Sequence, residues 1–215
     1  MKFFSGDDFR INPHLKYTPS YDVEVFDGQT IVYVDNVYKN PSRVVEYLNN
    51  CPIVSHKPQD PTRGNGRDFY DGRQSITEAY DPAWFDVHKT VASLLGVRNF
   101  HFDGACMFNM TMLNSSPRGH WFPHTDPDNI NCIVYLNEDN DYGPGTSFYR
   151  SFKYHGKGEH YDPWVTAADE SHCILDRYNC AVFFLGNIYH SMRLVGETFV
   201  GRPRFSEVHF LKLGQ

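Results

Sequence analysis

From residue 100 onward the chain breaks into short runs that read as strands, each closed by a turn signal. FHFDGACMFNMTML (100–113) alternates along most of its length, and NCIVYLN (131–137), TSFYR (146–150), CAVFFLGN (180–187) and RFSEVHFLK (204–212) follow. DPWVTAADE (162–170) reads as a short helix or helical loop. Before residue 100 the signals differ. YDVEVFDGQTIVYVDN (21–36) reads as a hairpin turning at DGQ. NPSRVVEYLNN (40–50) reads as a helix, with Asn40 as cap, Pro41 in the first turn and an apolar stripe of Val44, Val45 and Leu48. DPAWFDVHKTVASLLG (81–96) repeats the device, capped by Asp81 and stopped by Gly96. Helices first and strands second predict an α+β fold, an antiparallel sandwich or barrel packed against N-terminal helices. We expect one domain over 1–215, with 1–99 supporting a core of 100–215.

The bulk numbers agree. A chain of 215 residues with 16% aromatics can bury a substantial β-rich core. A net charge of −6 gives no reason to expect nucleic acid or an anionic membrane as the partner. No apolar stretch follows Lys2, and none approaches the ~18 residues of a membrane span. Cys51, Cys106, Cys132, Cys173 and Cys180 form no C-x-x-C pair, which predicts reduced thiols in a cytoplasmic protein. Residues 56–75, rich in Pro, Gly, Arg and Asp, are expected to be one long loop. Arg63, Arg67, Asp68, Phe69, Tyr70 and Arg73 would let it close over a polar molecule, or simply stay solvated.

The chemistry gathers around HTD (124–126). Side chains two apart on a strand share a face, so His124 and Asp126 converge if 122–126 is extended. Pro123 disfavours a helical Phe122 and supports that extension. A site of two histidines and one carboxylate needs a second imidazole from elsewhere. His190 stands just after an apolar strand and a Gly-Asn turn, and is the candidate. His120 lacks the glutamate of a zinc-protease helix and has Pro123 between it and His124. His155, His160 and His172 lie in polar or loop-like sequence. H-x-D alone is a common string, and context must carry it. Arg204 and Ser206 share a strand face near the C-terminus, where a guanidinium fork and a hydroxyl can grip one carboxylate. Arg202 is the rival cation.

Taken together, HTD (124–126), CIVYLNED (132–139), YGPGTSFY (142–149), AVFFLGNIYHSMRLV (181–195) and RPRFSEVHF (202–210) resemble the iron(II)/2-oxoglutarate-dependent oxygenases, in particular their prolyl-hydroxylase-like branch. The resemblance spans roughly 105–212, about half the chain. It implies a double-stranded β-helix, or jelly roll, with supporting N-terminal helices. It implies His124, Asp126 and His190 as iron(II) ligands, and Arg204, with Ser206 and Tyr135, as the grip on the distal carboxylate of the cosubstrate 2-oxoglutarate. It further implies dioxygen as co-reactant, succinate and carbon dioxide as products, and an amino-acid, peptide or small-molecule substrate that is hydroxylated. The basic residue comes 14 positions after His190, later than in many members, and GPG (143–145) replaces the usual Gly-Gly turn. The apolar neighbours Phe108, Met110, Phe148, Phe183 and Phe184 would keep such a site dry or simply form core, and Trp121 and Phe122 would line its pocket or pack the sheet.

Two other readings use the same residues. A cupin-like jelly-roll binding module without chemistry predicts no convergence of the three side chains, or a cavity blocked by one such as Trp121. A zinc hydrolase would need a general base such as Glu138 or Asp128, and would have no use for Arg204. Oligomeric state is left open by the sequence.

Overall fold

The structure is a computed structural model describing residues 6–17, 20–50, 70–76, 81–113, 117, 119–138, 145–153, 164–165 and 167–214. A short 3-10 turn at Gly6–Phe9 and helix α1 (His14–Tyr17) lead into β1 (Tyr21–Phe26) and β2 (Gln29–Val34). Asp27 and Gly28 both take positive φ, 51° and 76°, the tight-turn geometry that joins twisted strands in register. Helix α2 (Pro41–Asn50), strand β3 (Tyr70–Ile76) and helix α3 (Trp84–Leu94) follow. The remaining strands are β4 (Phe100–Leu113), β5 (His120–Trp121), β6 (Asn129–Tyr135), β7 (Gly145–Lys153), β8 (Trp164–Val165), β9 (Ala167–Leu175), β10 (Cys180–Leu185), β11 (Tyr189–Arg193) and β12 (Arg204–Leu213).

Seven strands form a large antiparallel sheet in the order β1-β2-β10-β6-β12-β4-β3, and β11-β7-β9 form a smaller one. β5 pairs with β8 and continues to an isolated bridge between His124 and His190 of β11. The chain therefore visits the large sheet with β4, β6, β10 and β12, and between these visits it enters the β5–β8 pair and the small sheet of β7, β9 and β11. That alternation is a double-stranded β-helix, or jelly roll. It is richer in sheet than an even α+β mixture, since only α2 and α3 among the described helices exceed one turn.

Strand parity separates two cores. Ala181 and Phe183 of β10, with Cys132 and Val134 of β6, face outward and meet Val44 and Leu48 of α2 and Trp84, Val87 and Val91 of α3. Cys180, Val182 and Phe184 face inward and meet Tyr135, Phe148 and Ile174 inside the roll. So Phe183 packs under the helices, whereas Phe148 and Phe184 line the interior. Both expected helices are present. Asp81 does not cap α3 itself, however. Its carboxylate accepts from the Ala83 and Ile11 N–H groups at 2.9 and 3.0 Å, fixing the turn before the helix.

Two expectations are corrected. Residues 70–76, the end of the expected loop, are a strand paired with β4 from Tyr70↔Leu113 to Ile76↔Met107. A sheet-edge strand pairs on one side only, so YDGRQSI carries no alternating pattern to read. Within 162–170, expected as a short helix or helical loop, the described residues 164–165 and 167–170 are β8 and the start of β9, and His172 is a strand residue whose ring stacks on Phe26 at 4.8 Å. The β9 sequence AADESHCIL misleads because register shifts against β7 between Phe148 and Ser151 break its alternation. Arg63, Arg67, Asp68 and Phe69 lie outside the described residues, as do Cys51 and the side chains of Tyr70, Arg73, Cys106, Phe108 and Met110. Among the described residues, Cys132, Cys173 and Cys180 are in no disulfide. Among the described residues no helix is long and apolar enough to cross a membrane.

Candidate metal centre

Three elements bring HTD to His190. The His124 N–H donates to the His190 carbonyl at 3.0 Å, and the His190 N–H returns a bond to the His124 carbonyl at 2.9 Å. The two histidines are thus direct partners across a bridge. Asp126 is held separately, its N–H donating to the Gly186 carbonyl at 2.7 Å in the turn between β10 and β11. Gly186 is required there: a Cβ would lie 2.2 Å from the Asp126 carbonyl oxygen.

The local route differs from the expected one. Phe122 is not extended but takes φ 32°, an unfavourable value for an aromatic residue, and this aims its carbonyl back at the His124 ring. His124 Nδ1 donates to that carbonyl at 2.8 Å, and His190 Nδ1 donates to the Ile188 carbonyl, also at 2.8 Å. In each case the carbonyl two residues upstream holds the Nδ1 proton, leaving the Nε2 lone pair for the centre. Asp126 Oδ2 lies 3.8 Å from His124 Nε2 and 3.3 Å from His190 Nε2. One ligand atom from each of the three residues falls within 4.8 Å of the others.

Electrostatics favour the binding state of His124 and of Asp126. Burial, reinforced by His190, holds the His124 imidazole below its usual pKa, against the Phe122 carbonyl and Asp126. Burial alone would raise the Asp126 carboxyl. His190, His124 and the Asn131 amide outweigh it and hold the group below the ordinary carboxylate value. Neutral imidazoles and an ionised carboxylate are what a divalent ion needs. The histidine–carboxylate donor set and its pre-aimed Nε2 atoms fit a hard-to-borderline metal such as iron(II). His190 is buried, while the His124 side chain is 37% exposed, so the centre opens to solvent on one side.

Asn131 is the residue that sequence reading missed. It lies on the inward face of β6, and its Nδ2 donates to Asp126 Oδ2 at 2.8 Å and lies 3.2 Å from His190 Nε2. Its only trace in the sequence is a polar residue inside the apolar run INCIVY.

Farther along the same wall, Tyr135 stands four residues from Asn131, about 14 Å of strand. Its hydroxyl bonds Thr146 Oγ1 at 2.7 Å, and burial pushes its pKa up, so it stays protonated. Ser206 is its register partner on β12, and both Arg204 and Ser206 are buried. The Arg204 guanidinium lies 5.7 Å from the Tyr135 ring centre and contacts Ser206 Oγ at 3.4 Å and the Gly145 carbonyl at 3.5 Å. The rival Arg202 and the further arginine Arg193 are elsewhere. Arg202 is exposed and lines a separate cavity of about 320 Å³ with Ser42, Val45 and Phe199. Arg193 pairs with Glu170 at 3.4 Å, in a cleft with His120 and Tyr149. Trp121 packs beside Phe199 and pairs through its backbone with Trp164, and the Phe122 ring lies 5.4 Å from the His124 ring. The two candidate hydrolytic bases are both exposed, and Glu138 accepts a bond from Tyr178 at 3.1 Å.

No family model and no curated protein matches the chain. Among solved structures it is similar to a prolyl-4-hydroxylase from Pseudomonas putida, at 16% identity over 80% of this chain and 82% of that one, with a TM-score of 0.42. It is also similar to a 2OG-Fe(II) oxygenase family oxidoreductase from Burkholderia pseudomallei, at 14% identity over 80% and 77% of the two chains, with a TM-score of 0.41. Likeness this slight adds nothing to the side-chain geometry, on which any functional reading must rest.

Proposed function

We propose that this chain is an iron(II)- and 2-oxoglutarate-dependent oxygenase that hydroxylates an amino-acid, peptide or other small-molecule substrate, releasing succinate and carbon dioxide. The observation that carries the reading is the convergence of His124, Asp126 and His190, with both histidines pinned at Nδ1, at the open end of a jelly roll. A binding module without chemistry has no need of that pinning. A zinc hydrolase would leave Arg204, a buried guanidinium on the same interior, without a task.

In this reading the two Nε2 atoms and the Asp126 carboxylate would hold iron(II). When bound, the iron and 2-oxoglutarate supply the oxidising chemistry. The chain's own residues do the rest. Asn131 fixes the Asp126 carboxylate through its amide. Arg204 and Ser206 take the distal carboxylate of 2-oxoglutarate. The Tyr135 hydroxyl, next to them and protonated, is a further donor. Phe148, Phe184, Ile174 and Val182 keep water from the stretch between the two ends.

The test is succinate formation in air from 2-oxoglutarate and iron(II), with candidate amino acids and peptides added to raise the rate. Production above the iron-only blank, abolished by His124→Ala, is expected. Absence of succinate under all additions would contradict the oxygenase reading.

A further inference from the structure

Arg204 has an acid for a neighbour, at the end of a strand of the smaller sheet. Asp176 follows β9, and parity with His172 and Ile174 turns it into the roll. It is 5% exposed, and neither carboxylate oxygen has a hydrogen-bond partner. Nε of Arg204 is likewise buried without one. The two residues meet around Gly145. Arg204 Nη2 reaches the Gly145 carbonyl at 3.5 Å, and a Cβ on Gly145 would lie 2.9 Å from the Asp176 backbone nitrogen.

Among the described residues, the charged and titratable groups that act on Asp176 and its neighbour Tyr135 are these. Arg204 of β12 acts directly on Asp176, and Asp176 in turn acts on Tyr135 of β6. Cys180 of β10 also faces Tyr135, and burial keeps its thiol protonated. Arg177, next in the chain, is engaged by Asp35 at 3.5 Å. Burial pushes the Asp176 carboxyl up to about 6, despite the pull of Arg204.

A buried carboxylate with no donor is costly, and a second one brought to the same guanidinium makes matters worse. Two carboxylates and one arginine leave a net negative charge out of water, and neighbouring carboxylates do not both stay ionised. One proton removes the conflict. It restores neutrality, turns Asp176 into an O–H donor, and gives the incoming carboxylate a partner beside the Arg204 fork.

We propose that Asp176 couples cosubstrate binding to protonation: 2-oxoglutarate docks at Arg204 together with one proton from solvent, shared between its distal carboxylate and Asp176. The inference rests on the cosubstrate reading of Arg204. No bond other than that to the proton is made or broken.

The test is calorimetric titration of 2-oxoglutarate into the Mn(II)-loaded protein, from pH 6.5 to 8.5, in two buffers of different ionisation heat. Above the Asp176 value of about 6, the dissociation constant should rise about tenfold per pH unit. The difference between buffers at pH 7.5 should report about one proton taken up per ligand bound. Asp176→Asn, neutral at every pH, should bind with little pH dependence. Wild-type binding that is flat with pH and releases or takes up no proton would overturn this inference alone. So would an Asp176→Asn variant with the wild-type slope. No binding at any pH would overturn the cosubstrate reading and this inference together.

Discussion

At the residue scale, the side chains with a chemical signature were legible and those that steer them were not. His124, Asp126, His190 and Arg204 stand out by type, parity and order along the chain. The structure brings the first three within ligand distance and buries the fourth inside the same roll. Asn131 and Asp176 could not be found that way. An asparagine in an apolar strand and an aspartate after a strand are ordinary in sequence, and become notable only when both are buried and turned inward. Phe122 marks the opposite failure. The residue before a proline is expected to be extended, yet here it takes φ 32° so that its carbonyl can hold the His124 Nδ1 proton. Asn131 supplies a sharp test. Asn131→Ala removes the amide that bonds Asp126 at 2.8 Å, and should weaken metal binding by about 10–100-fold while the fold persists. Metal titration followed by tryptophan fluorescence or calorimetry, alongside a thermal melt, separates the two. Unchanged metal affinity would remove Asn131 from the site.

At the element scale, strands and helices with a complete periodic stripe were readable, and those held by pairing alone were not. The strand β2, the helices α2 and α3, and the strand β10 each bury the face that their spacing announces, whereas the edge strand β1 leaves Val23 and Val25 exposed. β9 carries no such stripe, because a shifted register needs no unbroken alternation, and β3 is defined by its pairing with β4 alone. The outward face of β12 carries another feature that periodicity hides. Glu207 and His209 are buried beneath α3, where Glu207 accepts from the Tyr38 hydroxyl and approaches His209 Nε2 at 2.8 Å. His209 Nδ1 in turn lies 3.1 Å from His88 Nε2 of α3, and Trp84 stacks on His88. This network ties the supporting helix to the strand that bears Arg204. Burial, with His209 adding to it, holds the His88 pKa far below its usual value. A histidine depressed in the folded state contributes stability that is present above its unfolded pKa, about 6.5, and is lost as pH falls through the folded value. The melting temperature should therefore decline on acidification below about pH 6.5, and His88→Gln should flatten that decline. An identical acid limb in the variant would assign the loss to other groups.

At the scale of the whole molecule, the jelly roll separates support from chemistry by strand parity. One face of the large sheet packs on helices, and the other faces the interior of the roll, with the candidate metal corner at one end and Arg204, Tyr135 and Asp176 farther along. Helix-then-strand order along the chain foretold this division, but which strand pairs with which was not readable. Adjacent strands in sequence mostly cross between sheets, so local pattern says nothing of their neighbours. For the proposed function, the two ends of that interior must serve one bound molecule. The direct measurement is anaerobic addition of 2-oxoglutarate to the iron(II)-loaded protein, followed by visible absorption. A weak charge-transfer band that saturates with one equivalent is predicted, absent in Asp126→Ala and requiring far more 2-oxoglutarate in Arg204→Ala. A protein that binds iron(II) and shows no band at any 2-oxoglutarate concentration would contradict it.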